Sequence, residues 1–344
     1  MSEPLIALRY DVSSTIGMGH ASRARILANE FDRRRIPVIH AVKRAAIPLL
    51  QSWLSDSVQF VAVDSPNKQW QTQLSTVTDV IVDTLWHTNA TTTYREVKTI
   101  NTNSDARVTI IDSMPPDHFI CSNCKVHALL TPYLDAQKYR PAPPKKTLWF
   151  NSPLYSLLGA EFEVSKNHSK SASEASIVIC CGGSDTDHLS LQIVRSLINH
   201  EVPLHIVVGP LFDPELVTTL TDLAQKHSQL KLHYKPSSLA PLIAATSLVV
   251  GRPGLLRYEA AALGRSAVYL GKGFAYRDYF RGFNESGIAT IFFDTDNQGI
   301  NDFSAYIQNA ANSIKDNTFS RDNHTASSLV DTKGAQRFVD ALIE

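Results

Sequence analysis

The sequence predicts an α/β chain of two doubly wound halves, and three observations carry that expectation. The first is length: 344 residues exceed the roughly 100–200 of one typical domain, and each of two halves is large enough to build its own core. The second is alternation. Short apolar runs of strand length alternate with longer amphipathic segments of helical period, the pattern of parallel strands joined by crossover helices. The third is a break: residues 163–175 are polar and aperiodic, and the alternation restarts beyond them. Two Rossmann-like domains are therefore expected over 1–163 and 174–344, with a linker between and a ligand cleft where the carboxyl ends of the strands meet.

In the first half, apolar runs at 5–9, 37–42, 58–63, 80–82, 108–111 and 126–130 are expected strands, with helices over 21–35 and 45–54. In the second, strands are expected at 176–181, 204–208, 230–233, 248–250, 267–270 and 290–293, with a helix near 188–199. A terminal helix is expected over 325–343, either capping the second half or crossing back to the first.

Composition narrows the function. Lys plus Arg and Asp plus Glu both total 33, so no net field draws nucleic acid or an anionic membrane. The basic run Arg33-Arg34-Arg35 closes an expected helix, where cations complement the negative end. No run nears ~18 uninterrupted apolar residues, so no transmembrane segment is expected. Residues Met1-Ser2-Glu3-Pro4 lack the basic start of a secretory leader, and the four cysteines do not suggest a disulfide framework. The expected address is cytoplasmic.

Three loops carry candidate chemistry. After the first strand, Asp11 opens a long loop that delivers Gly17 and Gly19 to a helix start, where glycines admit a ligand and free amides face an anion. The spacing is only Gly-x-Gly-x-x-Ser and no acid follows at 38–43, so a dinucleotide fingerprint fails. His20 in this loop is a candidate base, the alternative being a packed helix-start histidine, and Arg23 and Arg25 either help hold a diphosphate or are solvated helix positions. In the second half, Gly182-Gly183-Ser184-Asp185 forms a strand–turn–helix element, with Asp185 either a ligand contact or a helix cap. Further on, Arg252 and the turn Gly254-Leu255-Leu256 form a candidate diphosphate seat, and Glu259 lies one turn inside to meet ribose hydroxyls. His118, Cys121, Cys124 and His127 have zinc-type side chains, but uniform spacing of three suits packed or loop residues better.

At these loops the sequence resembles a known family. Arg9-Tyr10-Asp11 with Ile16-Gly17-Met18-Gly19-His20 and Arg23 is similar to the signature of the UDP-sugar hydrolases of pseudaminic acid biosynthesis. Ile179-Cys180-Cys181-Gly182-Gly183-Ser184-Asp185 through Ile193 is similar to that family's second-domain loop and helix. The resemblance implies a glycosyltransferase-B fold, related to the N-acetylglucosaminyltransferase of peptidoglycan assembly. It implies that the second domain holds uridine nucleotide, and that His20 activates water for inverting attack at the anomeric carbon. It also implies diphosphate and ribose roles for the Gly254 turn and Glu259. Two segments depart from it: Thr84-Leu85-Trp86-His87, where the hydrolases carry a tyrosine, and 271–278, where they carry a Gln/Asn turn.

The leading expectation is a nucleotide-sugar hydrolase with His20 as general base and no cofactor. Its alternatives are a glycosyltransferase using a hydroxyl acceptor, and a non-catalytic nucleotide-sugar binding protein with no use for His20. Oligomeric state is not legible.

Overall fold

The computed structural model describes residues 4–54, 57–65, 68–84, 86–111, 124–139, 142–168, 175–273, 277–320 and 322–344. The chain divides into two compact units, one of Met1–Leu157 with Lys333–Glu344, the other of Leu158–Thr332.

The first unit is built on β1 (Ile6–Tyr10), β2 (Val38–Val42), β3 (Gln59–Ala62), β4 (Asp79–Asp83), β5 (Arg107–Ile111), β6 (Ala128–Leu130) and β7 (Leu148–Phe150). They form one sheet in the order β3-β2-β1-β4-β5-β6-β7, every neighbouring pair parallel. Crossover helices cover both faces, which is why β1 and β4 are buried at every residue.

The second unit repeats the plan with β8 (Ile177–Cys180), β9 (Leu204–Val208), β10 (Leu230–Tyr234), β11 (Leu248–Gly251), β12 (Ala267–Gly271) and β13 (Thr290–Phe293). Its order is β10-β9-β8-β11-β12-β13, again all parallel. The core beneath it joins Ile177, Ile179, Leu204, Ile206, Leu248 and Val250 to Phe303, Ile307 and Ile314 of the Asn297–Lys315 helix. Each such side chain contributes ~1.5–3 kcal/mol on burial. In both sheets the strand order reverses between two central strands, β1/β4 and β8/β11. A crevice opens at the carboxyl ends of such a pair.

The unit boundaries differ from the expected ones. The stretch expected as a linker opens as helix, Ala160–His168, which belongs to the second unit through buried Phe162 and packs on the Ala240–Ala245 helix. The terminal helix is two, His324–Leu329 and Gly334–Ile343, and the second belongs to the first unit. There Phe338 meets Phe150 edge-on at 5.1 Å, and Arg34 pairs with Asp340. A side chain at Gly334 would place its Cβ 2.2 Å from the Ser156 carbonyl, so only glycine fits that approach.

Candidate functional site

The reversal point of the first unit is furnished by the ends of β1 and β4. After Tyr10 the chain turns through 11–18, where Gly17 donates to the Ser13 carbonyl at 2.7 Å and adopts φ +79°. That turn aims the next residues into the Gly19–Arg33 helix, whose amino end has no side-chain cap. Its first-turn amides are thus available to an anion.

His20 sits in that first turn and is buried. Its Nε2 lies 3.9 Å from Asp83 Oδ1 at the end of β4. Its Nδ1 makes no hydrogen bond of normal geometry, although the Asp11 backbone lies near enough to favour the charged ring. Burial pushes the ring's pKa below the ordinary 6.5, against the pull of Asp83, and the Arg23 charge adds to the lowering. The product is an imidazole favoured in its neutral form, with Nε2 toward a carboxylate and Nδ1 buried near the Asp11 backbone. Such a ring can accept a proton while Asp83 stabilises the imidazolium that results.

Arg23 and Asp11 do different work from that expected. Arg23 grips Asp83 through two bonds, Nε to Oδ2 at 2.6 Å and Nη2 to Oδ1 at 2.8 Å, both partners buried. Its guanidinium thereby fixes Asp83 through Nε and Nη2. Asp11 accepts from Arg9 Nη1 at 2.9 Å, while Arg9 also donates to Glu96 and to the Tyr10 carbonyl. Asp11 thus forms an internal ion pair with Arg9.

In the second unit, β8 leads into Cys181 and the Gly182–Asp185 turn. Gly182 is exposed, Gly183 and Ser184 are half-buried, and a Cβ at Gly182 would meet nothing within 4 Å. Asp185 proves to be a cap: buried, it accepts from the Leu189 amide at 2.9 Å, the Ser190 amide at 3.0 Å and Ser190 Oγ at 2.5 Å. Beside it, β11 runs into Arg252 and the exposed Gly254, where a Cβ would again meet open space. Leu255 precedes the short Leu256–Ala262 helix, which carries the half-buried Glu259. Glu259 stands near the end of β8, and after burial its charge helps to push the Cys180 thiol up to about 12. That thiol is inert at neutral pH.

Arg252 is also more occupied than expected. It donates to Asp294 Oδ2 at 3.0 Å, to Asp187 Oδ2 at 2.5 Å and to the Leu270 carbonyl at 2.7 Å. Lys272 pairs with the other oxygen of Asp187, and Asp294 accepts from the Gly273 amide at 3.0 Å. Four charges from the ends of four strands thus form one network.

His118 and Cys121 lie outside the described residues, as do Leu85 and 274–276. Cys124 is disulfide-bonded, which removes its thiolate as a metal ligand. Among the described residues, no three His, Cys, Asp or Glu side chains converge as a metal site. Among them, too, no helix is long and apolar enough to cross a membrane.

No family profile matches the chain. An uncharacterized protein of Methanocaldococcus jannaschii is 25% identical over 276 residues, 77% of this chain and 55% of that protein, so the chain spans about half the length of the curated relative. Solved structures align over nearly the whole chain. Acinetobacter baumannii MurG does so with a TM-score of 0.60 and 15% identity, covering 99% of each chain. A UDP-GlcNAc 2-epimerase of Methanocaldococcus jannaschii, in complex with UDP-GlcNAc and UDP, has a TM-score of 0.59 and 10% identity over 98% of this chain and 99% of that one. A spinosyn rhamnosyltransferase complexed with thymidine diphosphate has a TM-score of 0.58 and 16% identity, over 99% of this chain and all of the other. The chain has the glycosyltransferase-B fold.

Within this glycosyltransferase-B fold, Asp83, Glu96, Asp187, Lys272 and Asp294 are site residues that the sequence reading did not single out. Each stands at or after a strand end, or on the helix facing one, and its partner is 42 to 87 residues away. A strand-terminal acid directly after a buried apolar run, as in Val80-Ile81-Val82-Asp83, is the one local signal that marks such a residue.

Proposed function

We propose that the chain is a nucleotide-sugar hydrolase that releases a nucleoside diphosphate, UDP in the leading form, from an activated amino or deoxy sugar. The observation that carries the reading is His20: buried at the strand-order reversal, its pKa lowered, with Asp83 Oδ1 3.9 Å from Nε2. Water gives a proton to the His20 imidazole as its oxygen attacks the anomeric carbon. The bond from that carbon to the diphosphate oxygen breaks, its electron pair leaves with the phosphate, and configuration inverts. A positioned base of this kind typically contributes ~10²–10⁴-fold.

The diphosphate is assigned to the second unit, at Gly182–Ser184 and Gly254–Leu256, where open space adjoins backbone amides. Glu259 is assigned the ribose hydroxyls. Likeness to enzymes whose structures were solved with UDP, UDP-GlcNAc or thymidine diphosphate supports a nucleotide-linked ligand. A second reading has one observation in its favour: the same likeness extends to MurG and a rhamnosyltransferase. In that case His20 deprotonates an acceptor hydroxyl in place of water.

The test is phosphorus and proton NMR of the protein with UDP-, CDP- and GDP-sugars and no acceptor. Release of nucleoside diphosphate and an inverted free sugar, lost in His20→Ala with binding retained, supports the hydrolase. Binding without turnover moves the assignment to a transferase. Turnover unchanged in His20→Ala overturns the role of His20.

A further inference from the structure

The network at the carboxyl edge of the second sheet balances itself. Arg252 and Lys272 supply two positive charges, Asp187 and Asp294 two negative ones. The two acids differ in what else they do. Asp294 also accepts the Gly273 amide and so ties the loop after β12 to the end of β13. Asp187 precedes the Leu189–Leu197 helix; its Oδ1 takes Lys272 and Thr186, its Oδ2 takes Arg252. One carboxylate therefore spans both cations, each oxygen on one of them, much as a phosphate would.

Resting on the nucleotide-diphosphate reading of this unit, we propose that Asp187 is an internal stand-in for a ligand phosphate. It occupies Arg252 and Lys272 in the free protein and is displaced by a nucleoside diphosphate, so that it sets both affinity and the demand for a doubly charged phosphate chain. The side chain is poised for this: Asp187 is 29% exposed and Lys272 58%, so the bond between them costs little to break. Arg252, only 18% exposed and held on its far side by Asp294 and the Leu270 carbonyl, stays in place when Asp187 leaves. A single phosphate competes poorly with a carboxylate that contacts both cations. A diphosphate brings charge enough to replace it.

Burial works to raise the Asp187 pKa, but the bond from Lys272, the Thr186 hydroxyl and Arg252 together hold it below the usual carboxylate range. The stand-in is therefore charged throughout the neutral range and does not leave by protonation.

The experiment is calorimetric titration of wild type, Asp187→Asn, Lys272→Met and the double variant with UDP and UMP, folding being verified by thermal melting. Asp187→Asn is expected to bind UDP about 2- to 5-fold more tightly, the range of a partly exposed ion pair. UMP is expected to gain more than UDP, so that the preference for diphosphate shrinks. Lys272→Met in either background is expected to weaken UDP binding and to erase the gain. Unchanged or weaker UDP binding by folded Asp187→Asn overturns the proposal. So does a UDP affinity untouched by Lys272→Met, which decides the matter even if Asp187→Asn does not fold. If wild type binds neither UDP nor, in parallel titrations, CDP or GDP, it is the nucleotide reading itself that fails.

Discussion

Two buried histidines of the first unit show how one side chain takes opposite roles from its surroundings. His40 on β2 bonds Tyr10 Oη through Nδ1 at 2.9 Å and lies under Phe60; burial alone pushes its pKa down to about 4. His20 is buried too, but a carboxylate stands beside it, and it lies at the strand ends rather than within the sheet. Because the unfolded His40 takes up its proton near 6.5 and the folded one only near 4, the unfolded state binds more protons between those values. Stability is therefore full above about 6.5 and falls as pH drops toward 4, by about 3 kcal/mol from this one group. Urea titrations from pH 7 to 4 should show that slope reduced by nearly one proton in His40→Asn. For His20, replacing Asp83 by Asn removes a charge that raises the ring's pKa. The acid limb of kcat/KM should move to lower pH, alongside a loss of stability of about 3 kcal/mol from the orphaned Arg23. An acid limb that stays in place would mean that His20 is not the titrating base.

At the scale of elements, the loops were more legible than the contacts they make. Gly17, Gly182 and Gly254 were singled out as places where backbone meets ligand, and the structure puts all three at or beside the strand-order reversals. The partners of Arg23 and Arg252 are not legible for a common reason: a charged side chain in a loop advertises its charge, while its partner lies far along the chain. Arg23 needs Asp83, 60 residues on, and Arg252 needs Asp187, 65 residues back. Asp185 differs: its partners are four and five residues away, and the cap is one of the two readings its sequence offers. Asp185→Ala should therefore cost about 1–2 kcal/mol in chemical denaturation, with Asp185→Asn recovering most of it. Loss of ligand affinity in Asp185→Ala without loss of stability would restore the ligand-contact reading. The strand Leu148–Phe150 went unseen because three residues carry too little periodicity to register.

At the scale of the molecule, alternation announced two doubly wound units, but not where the chain passes between them. Residues 163–168 read as linker because EVSKNH offers no apolar period, while the Ala160–His168 helix they complete is anchored by Phe162 at its start. The last helix was ambiguous because an amphipathic face shows that a partner exists without naming it. Its partner is the first unit, where Phe338, Val339 and Leu342 are buried, Phe338 against Phe150, and Gly334 lies on the Ser156 backbone. The first unit thus owns two stretches of chain separated by the whole of the second, so its core closes only when the last residues arrive. Phe338→Ala should remove about 3–5 kcal/mol from the first unit's stability. Since each unit has its own core, hydrogen exchange should show the loss in amides of β1, β6 and β7, with those of β8 and β9 unchanged. Uniform loss across both sheets would instead mean that the two cores unfold as one cooperative block, and that the terminal helix stabilises the entire chain.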